Sequence, residues 1–217
     1  MTATASNPPV IDYFFSVLSD WAYFGGERLE SLSRRFDVRI NYMPMKLARI
    51  YELTGGILLQ KRSKQRQDYR VVELERWRDM LGMPITIHPR FYPIDDTLAS
   101  GAIIASLKWE VDTGRLINLI HRAIWAEEKD ISDPSVLAPI LQIVGLEPEA
   151  TLQAARSQET LAQYEANTLY AVERGVFGSP FYCVGDEIFW GQDRLEFLER
   201  LLVRELSPNS TVTAAAG

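Results

Sequence analysis

Apolar positions along the chain follow two periods, and the order in which these alternate outlines a fold. Val10 to Ser16 is a short β-branched and aromatic run that reads as a strand. Ser19 then opens a helical pattern reaching about Phe36, with Trp21, Phe24, Leu29 and Leu32 as its apolar positions. Val38 to Tyr42 reads as a second strand. From about Lys46 to Arg174 the pattern is almost entirely helical, with amphipathic spacing expected near 62–82, 95–112, 113–128, 133–144 and 157–174. Asp133-Pro134 and Glu147-Pro148 look like helix starts, because proline is tolerated in the first turn. Strand signals return at Pro180 to Val184 and Glu187 to Trp190, joined at Gly185-Asp186, and a last helix is expected from about Asp193 to Glu205.

The resulting order is β-α-β, a long helical block, then β-β-α. This predicts an α/β protein: a thioredoxin-like fold with a large all-helical insertion. A helical insertion suits the length of the connection better than a structureless loop. The expected division is 9–45 together with 173–206 as the thioredoxin-like domain, 46–172 as the helical insertion, and 207–217 as a flexible tail. Residues 1–8 read as a loose arm.

Composition narrows the function classes. The 217 residues hold 47% hydrophobic and 24% charged residues, the balance of a globular protein. Lys plus Arg is 23 against 29 for Asp plus Glu, a net charge of -6, which argues against a nucleic-acid partner. No apolar run approaches the ~20 residues of a membrane span, and Met1 to Pro9 lacks the basic and apolar segments of a signal peptide. A cytoplasmic location is therefore expected. Cys183 alone makes neither a disulfide nor a CxxC pair, and reads as a small buried residue within a strand.

Common catalytic signatures are missing: no G-x-S-x-G elbow, H-E-x-x-H, P-loop or G-x-G-x-x-G occurs. Of the two histidines, His121 lies between apolar helix residues and reads as structural, while His88 sits in a loop beside Pro89. More informative are Ser19-Asp-Trp-Ala22 and Gly175-Val-Phe-Gly-Ser179-Pro180. In a thioredoxin fold a redox CxxC pair sits at the start of the first helix, facing a cis-proline. Ser-x-x-Ala cannot cycle between dithiol and disulfide, so the chain has no redox pair of its own there. A hydroxyl at a helix N-terminus can instead cap the helix, worth ~1 kcal/mol, or donate to an incoming thiolate that the helix dipole also favours.

These stretches, with Leu47-Ala-Arg-Ile, Leu74-Glu-Arg-Trp77 and Phe189-Trp-Gly-Gln-Asp193-Arg-Leu, resemble the 2-hydroxychromene-2-carboxylate isomerases and kappa-class glutathione transferases of the DsbA-like branch. The likeness runs from about Ile11 to Leu202. It implies glutathione as cofactor, with Ser19 contacting its sulfur, Ser179 and Pro180 its cysteine backbone, and Gln192 and Asp193 its γ-glutamyl end. Arg66 is a further candidate for the tripeptide. The substrate side is expected at Tyr51, Gln60, Lys61, Phe91 and Tyr92, with Trp21 and Tyr23 near the mouth. Two positions depart from the family pattern: Asp20 follows the serine where proline is usual, and Tyr51 replaces a lysine that contacts the substrate carboxylate. Within the cluster Lys61, Arg62, Lys64, Arg66 and Arg70, Lys61 or Arg66 is then expected to orient the substrate carboxylate, with Tyr51 as a hydrogen-bonding partner.

The function implied is a glutathione-dependent isomerase of an aromatic or unsaturated keto acid. A transferase conjugating electrophiles is the alternative, and a non-catalytic glutathione-binding protein a third. Small-molecule substrates, no nucleic acid, no membrane and a homodimer complete the expectation.

Overall fold

The computed structural model describes residues 9–206, so the expected arm and the 207–217 tail lie outside the described residues. Strand β1 (Val10–Phe15), helix α1 (Asp20–Phe36) and strand β2 (Arg39–Pro44) come first. β1 and β2 pair in parallel, with Ile11 opposite Ile40 and Phe15 opposite Pro44. Parallel neighbours need a crossover, which the 17 residues of α1 provide. The middle of the chain holds α2 (Leu47–Thr54), a 3-10 turn at Leu59–Lys61, α3 (Lys64–Leu81), α4 (Thr97–Ser106), α5 (Thr113–Trp125), α6 (Pro134–Ile143), α7 (Pro148–Ala155) and α8 (Gln158–Glu173). Then come β3 (Phe181–Val184), β4 (Glu187–Trp190), a 3-10 turn at Gln192–Arg194 and α9 (Leu195–Leu206). The sheet order is β2-β1-β3-β4, with β3 antiparallel to both neighbours. This is a thioredoxin-like fold whose helical insertion lies between its second and third strands.

Strand alternation divides the interior into two layers. Ile11, Tyr13 and Phe15 of β1 join Tyr182 and Val184 of β3 in a core completed by α1, α4, α5 and α9. Phe14, Phe181 and Cys183 point to the other face, against Met45, Ile50, Ala171 and Val176. β1 is thus covered on both sides, which explains its unbroken apolar run.

The proline-led helix starts occur where expected: Asp133 and Glu147 cap α6 and α7 by accepting from the Ser135 and Ala150 amides. Two helices differ from their sequence pattern. α4 stops at Ser106 rather than running to 112, because Asp112 caps a new helix by accepting from the Arg115 amide. It is also buried along Ala99–Ser106 rather than amphipathic. Its small residues allow this: a Cβ on Gly101 would lie 2.5 Å from the Ala155 carbonyl oxygen. α3, by contrast, buries only Leu74 completely. Its partly buried positions serve the cavities described next.

Candidate active site

The floor of the site is where β1 ends, α1 begins and the chain enters β3. Pairing of β1 with β3 brings Ser16 and Ser179 together, 163 residues apart, and the Ser16 amide donates to Ser179 Oγ at 3.0 Å. The Ser179–Pro180 peptide is cis. Ser19 is the N-cap of α1: its Oγ accepts from the Ala22 amide at 3.2 Å and donates to the Ser179 carbonyl oxygen at 3.1 Å. One hydroxyl thus caps the helix and meets the main chain of the proline segment.

The first turn of α1 is largely satisfied by its own side chains. Asp20 Oδ1 accepts from the Trp21 amide at 2.8 Å, and the Tyr23 amide is bonded to the Ser19 carbonyl. Asp20 Oδ2 forms an ion pair with Arg70 of α3; the Asp20 side chain is buried and that of Arg70 mostly so. Burial raises the Asp20 pKa, while the Arg70 guanidinium opposes that rise. The carboxylate that departs from the family pattern is therefore neutralised by a cation from the insertion, which blunts its repulsion of an anion at the helix start.

Two cavities open over this floor. One, of about 610 Å³, is lined by Ser19, Asp20, Tyr51, Arg62, Arg70 and Tyr92, among others. The second, of about 400 Å³, runs toward Trp77, Trp190, Gln192 and Asp193. They share Trp21, Tyr51, Arg62 and Ser179. Arg62 stands at this junction: its Nε donates to the Ile57 carbonyl at 2.9 Å and its Nη2 to the Tyr51 hydroxyl at 3.3 Å. Among the described residues no carboxylate lies within ion-pair distance of it. The other cations of the larger cavity are matched: Lys46 by Glu165, Arg49 by Glu52, Arg70 by Asp20.

The structure brings Ser19, Tyr51, Gln60, Tyr92 and Ser179 to the larger cavity, and Gln192 and Asp193 to the smaller. Pro180 is buried beneath them. The Gln192 side-chain oxygen accepts from Arg28, so its amide nitrogen is the end left for a ligand. Asp193 is exposed and pairs with Arg194 at 3.0 Å. Gly191 holds this turn at φ +103, where a Cβ would also meet Asp193 Oδ1 at 2.5 Å.

Lys61, Arg66 and Phe91 do not line either cavity, contrary to their expected placement. The 3-10 turn leaves Lys61 exposed and turns Arg62 inward. Arg66 and Arg70 differ by one helical turn, and only Arg70 reaches Asp20. Phe91 is exposed with Arg90 over its ring, whereas Tyr92 packs on Trp125. Tyr23 also leaves the mouth: two positions after Trp21 it faces away, and its hydroxyl donates to the Pro84 carbonyl at 2.7 Å.

His88 is exposed in a neighbouring groove. His121 is wholly buried beneath Ser16, and burial pushes its pKa down to about 4, so it is neutral at pH 7. Sequence reading missed Asp96, whose Oδ2 accepts from the Tyr164 hydroxyl at 3.0 Å on the cavity wall. The Asp95-Asp96-Thr97 helix start was the available signal, but it reads equally as a cap.

Fold and floor together define a thioredoxin-like protein with serine where redox members carry cysteine. The chain belongs to the DSBA-like thioredoxin domain family, whose model matches residues 10–203. It is 28% identical to 2-hydroxychromene-2-carboxylate isomerase of Pseudomonas putida, over 94% of this chain and 100% of the relative. Glutathione S-transferase kappa 1 of Caenorhabditis elegans is 24% identical, over 89% of this chain and 91% of the relative. A solved 2-hydroxychromene-2-carboxylate isomerase superimposes with a TM-score of 0.79 at 28% identity, over 94% and 100% of the two chains.

Proposed function

We propose that this protein is a glutathione-dependent isomerase of a carboxylated aromatic substrate of the 2-hydroxychromene-2-carboxylate type. One observation carries the reading: Ser19 at the helix start meets the Ser179 carbonyl where a cavity with an unmatched cation adjoins a peptide-sized groove. The residues fit the tripeptide. The main chain before Pro180 suits an extended backbone, and Asp193 suits a γ-glutamyl amine. When bound, glutathione supplies a thiolate nucleophile that attacks a conjugated carbon and is later released.

Ser19 supports that ionisation by turning its proton from the Ser179 carbonyl to the sulfur. This exchanges a neutral hydrogen bond of about 1 kcal/mol for a charge-assisted one of about 1.5–3 kcal/mol. Lowering a thiol pKa by about 2 requires ~2.7 kcal/mol, within reach once the helix dipole adds its share. Arg62 orients the substrate carboxylate, Tyr51 assists through its hydroxyl, and Tyr92 offers an aromatic wall.

The test is ultraviolet difference absorbance of the thiolate against pH, with turnover of 2-hydroxychromene-2-carboxylate assayed alongside. Wild type is expected to bind glutathione and lower its thiol pKa, and Ser19→Ala to abolish that shift. Unchanged affinity, ionisation and turnover in Ser19→Ala would overturn the reading. Similarity to the kappa-class relative supports a second reading, conjugation to an electrophile, which stoichiometric loss of free thiol would reveal. We also propose a cytoplasmic homodimer; sedimentation tests the assembly.

A further inference from the structure

The larger cavity contains a carboxyl group for which the reading above has no use. Asp96 lies between the Tyr92–Pro93 segment and α4, on the same cavity wall as Lys46 and Thr97. At the head of α4, Asp96 makes no side-chain capping bond. Its Oδ2 instead accepts from the Tyr164 hydroxyl, which α8 brings across 68 positions. This leaves Oδ1 without a side-chain donor among the described residues. The other carboxylate near Ser19 is differently placed, since both Asp20 oxygens are occupied, one by the Trp21 amide and one by Arg70. Neither histidine lines this cavity.

A substrate of the 2-hydroxychromene type poses a proton problem separate from thiolate chemistry. Its ring is a cyclic hemiketal, and a bond between ring oxygen and the hemiketal carbon must break before any double bond can isomerise. As that bond breaks, the hemiketal hydroxyl loses its proton and becomes a carbonyl, while the departing phenolic oxygen gains one. The proton count balances within the substrate if one group carries the proton between the two oxygens.

The geometry points to Asp96 as that carrier: its carboxylate takes the hemiketal hydroxyl proton and returns it to the phenolic oxygen as the ring opens. This rests on the proposed isomerase reading but needs no glutathione. Tyr164 holds the carboxyl in place through one oxygen. The groups facing the Asp96 carboxyl are Tyr164 from α8, Lys46 from the segment after β2, Asp95 beside it and its own main-chain amide. Burial dominates and pushes the Asp96 pKa up to about 6, against the pull of Tyr164 and Lys46. A carboxylate of that basicity is ionised at pH 7 yet returns its proton readily.

The test separates ring opening from isomerisation. The protein is mixed with 2-hydroxychromene-2-carboxylate without glutathione, and opening is followed by stopped-flow absorbance against pH. Wild type should accelerate opening over buffer, with the rate falling below about pH 6. Asp96→Asn should lose about 10²–10⁴-fold of that acceleration, the usual range for general acid–base catalysis. It should nevertheless bind glutathione and ionise its thiol as wild type does. Tyr164→Phe removes a hydrogen bond that favours the carboxylate, so its acid limb should move to higher pH. That shift is not expected of a merely structural tyrosine. Opening at the wild-type rate in Asp96→Asn, no wild-type acceleration, or an unmoved acid limb in Tyr164→Phe would each overturn the inference. Failure of glutathione to bind wild type would instead strike the isomerase reading.

Discussion

The site is built from two regions that differ in their balance of packing and polar contacts. Its floor, the end of β1 with the start of α1 and the Ser179–Pro180 segment, is buried and sits between two apolar layers. Its hydrogen bonds join residues more than 150 positions apart, as the separations of 163 and 160 for Ser16 and Ser19 to Ser179 show. The opposite wall, formed by the segment from Ile57 through α3, is mostly exposed and has one wholly buried residue, Leu74. Polar contacts attach it: Arg62 to Tyr51 of α2, and Arg70 to Asp20. The floor is positioned by packing, whereas the wall adds an ion pair, Arg70 to Asp20, to the packing of Leu74, Trp77 and Leu81. A wall of this kind can change its exposed cations without disturbing the core.

The largest effects should come from the floor. Phe15→Ala should lower unfolding free energy by about 3–5 kcal/mol in urea denaturation. Tyr69→Ala on the wall, 60% exposed, should change it by less than about 0.5 kcal/mol. Similar losses in both would erase the distinction.

The Asp20–Arg70 pair is where floor and wall join. Arg70→Met strands a buried carboxylate and should cost about 3–5 kcal/mol, whereas Asp20→Asn with Arg70→Met should recover most of that loss. A double variant as unstable as the single one would mean that the pair does not couple the two regions.

Acidification should expose a hidden opposition. Asp96, raised to about 6, destabilises the fold progressively as pH rises through that value, by at most about 3 kcal/mol. His121, lowered to about 4, does the reverse: its neutral burial is tolerated above the usual histidine range, and stability falls as pH drops toward 4. The two trends partly cancel between pH 4 and 6. Asp96→Asn should therefore be more stable than wild type at pH 7 and lose stability more steeply on acidification. Parallel pH–stability curves for the two proteins would show that Asp96 is not perturbed.

The smallest effects discriminate among the wall's cations. Arg62→Ala should raise KM about tenfold, equivalent to ~1.4 kcal/mol. Lys61→Ala and Arg66→Ala, whose side chains lie outside both cavities, should change it less than about twofold.

Much of this was legible in advance because local pattern carries it. The apolar run Val10 to Ser16, the capped start at Ser19 and the Gly185-Asp186 turn each encode their element within a few residues. So do the proline-led starts of α6 and α7. α4 was misread because its burial depends on α7 and the sheet, and a helix surrounded by protein need not show one apolar face. The placement of the cations around the cavities is not legible for a related reason. Lys61, Arg62, Arg66 and Arg70 are chemically alike in sequence, and the orientation of a 3-10 turn and the phase of α3 select Arg62 and Arg70.

The amino-acid order by itself determined the strand and helix sequence, the absence of a redox pair and the serine at the helix start, because periodicity and residue chemistry are local. Only the tertiary structure decided which hydroxyl meets which carbonyl, which cation has no carboxylate within ion-pair distance and which carboxylates line the cavity. Those outcomes depend on contacts between segments that strand pairing and helix packing bring together, and no local pattern records such contacts.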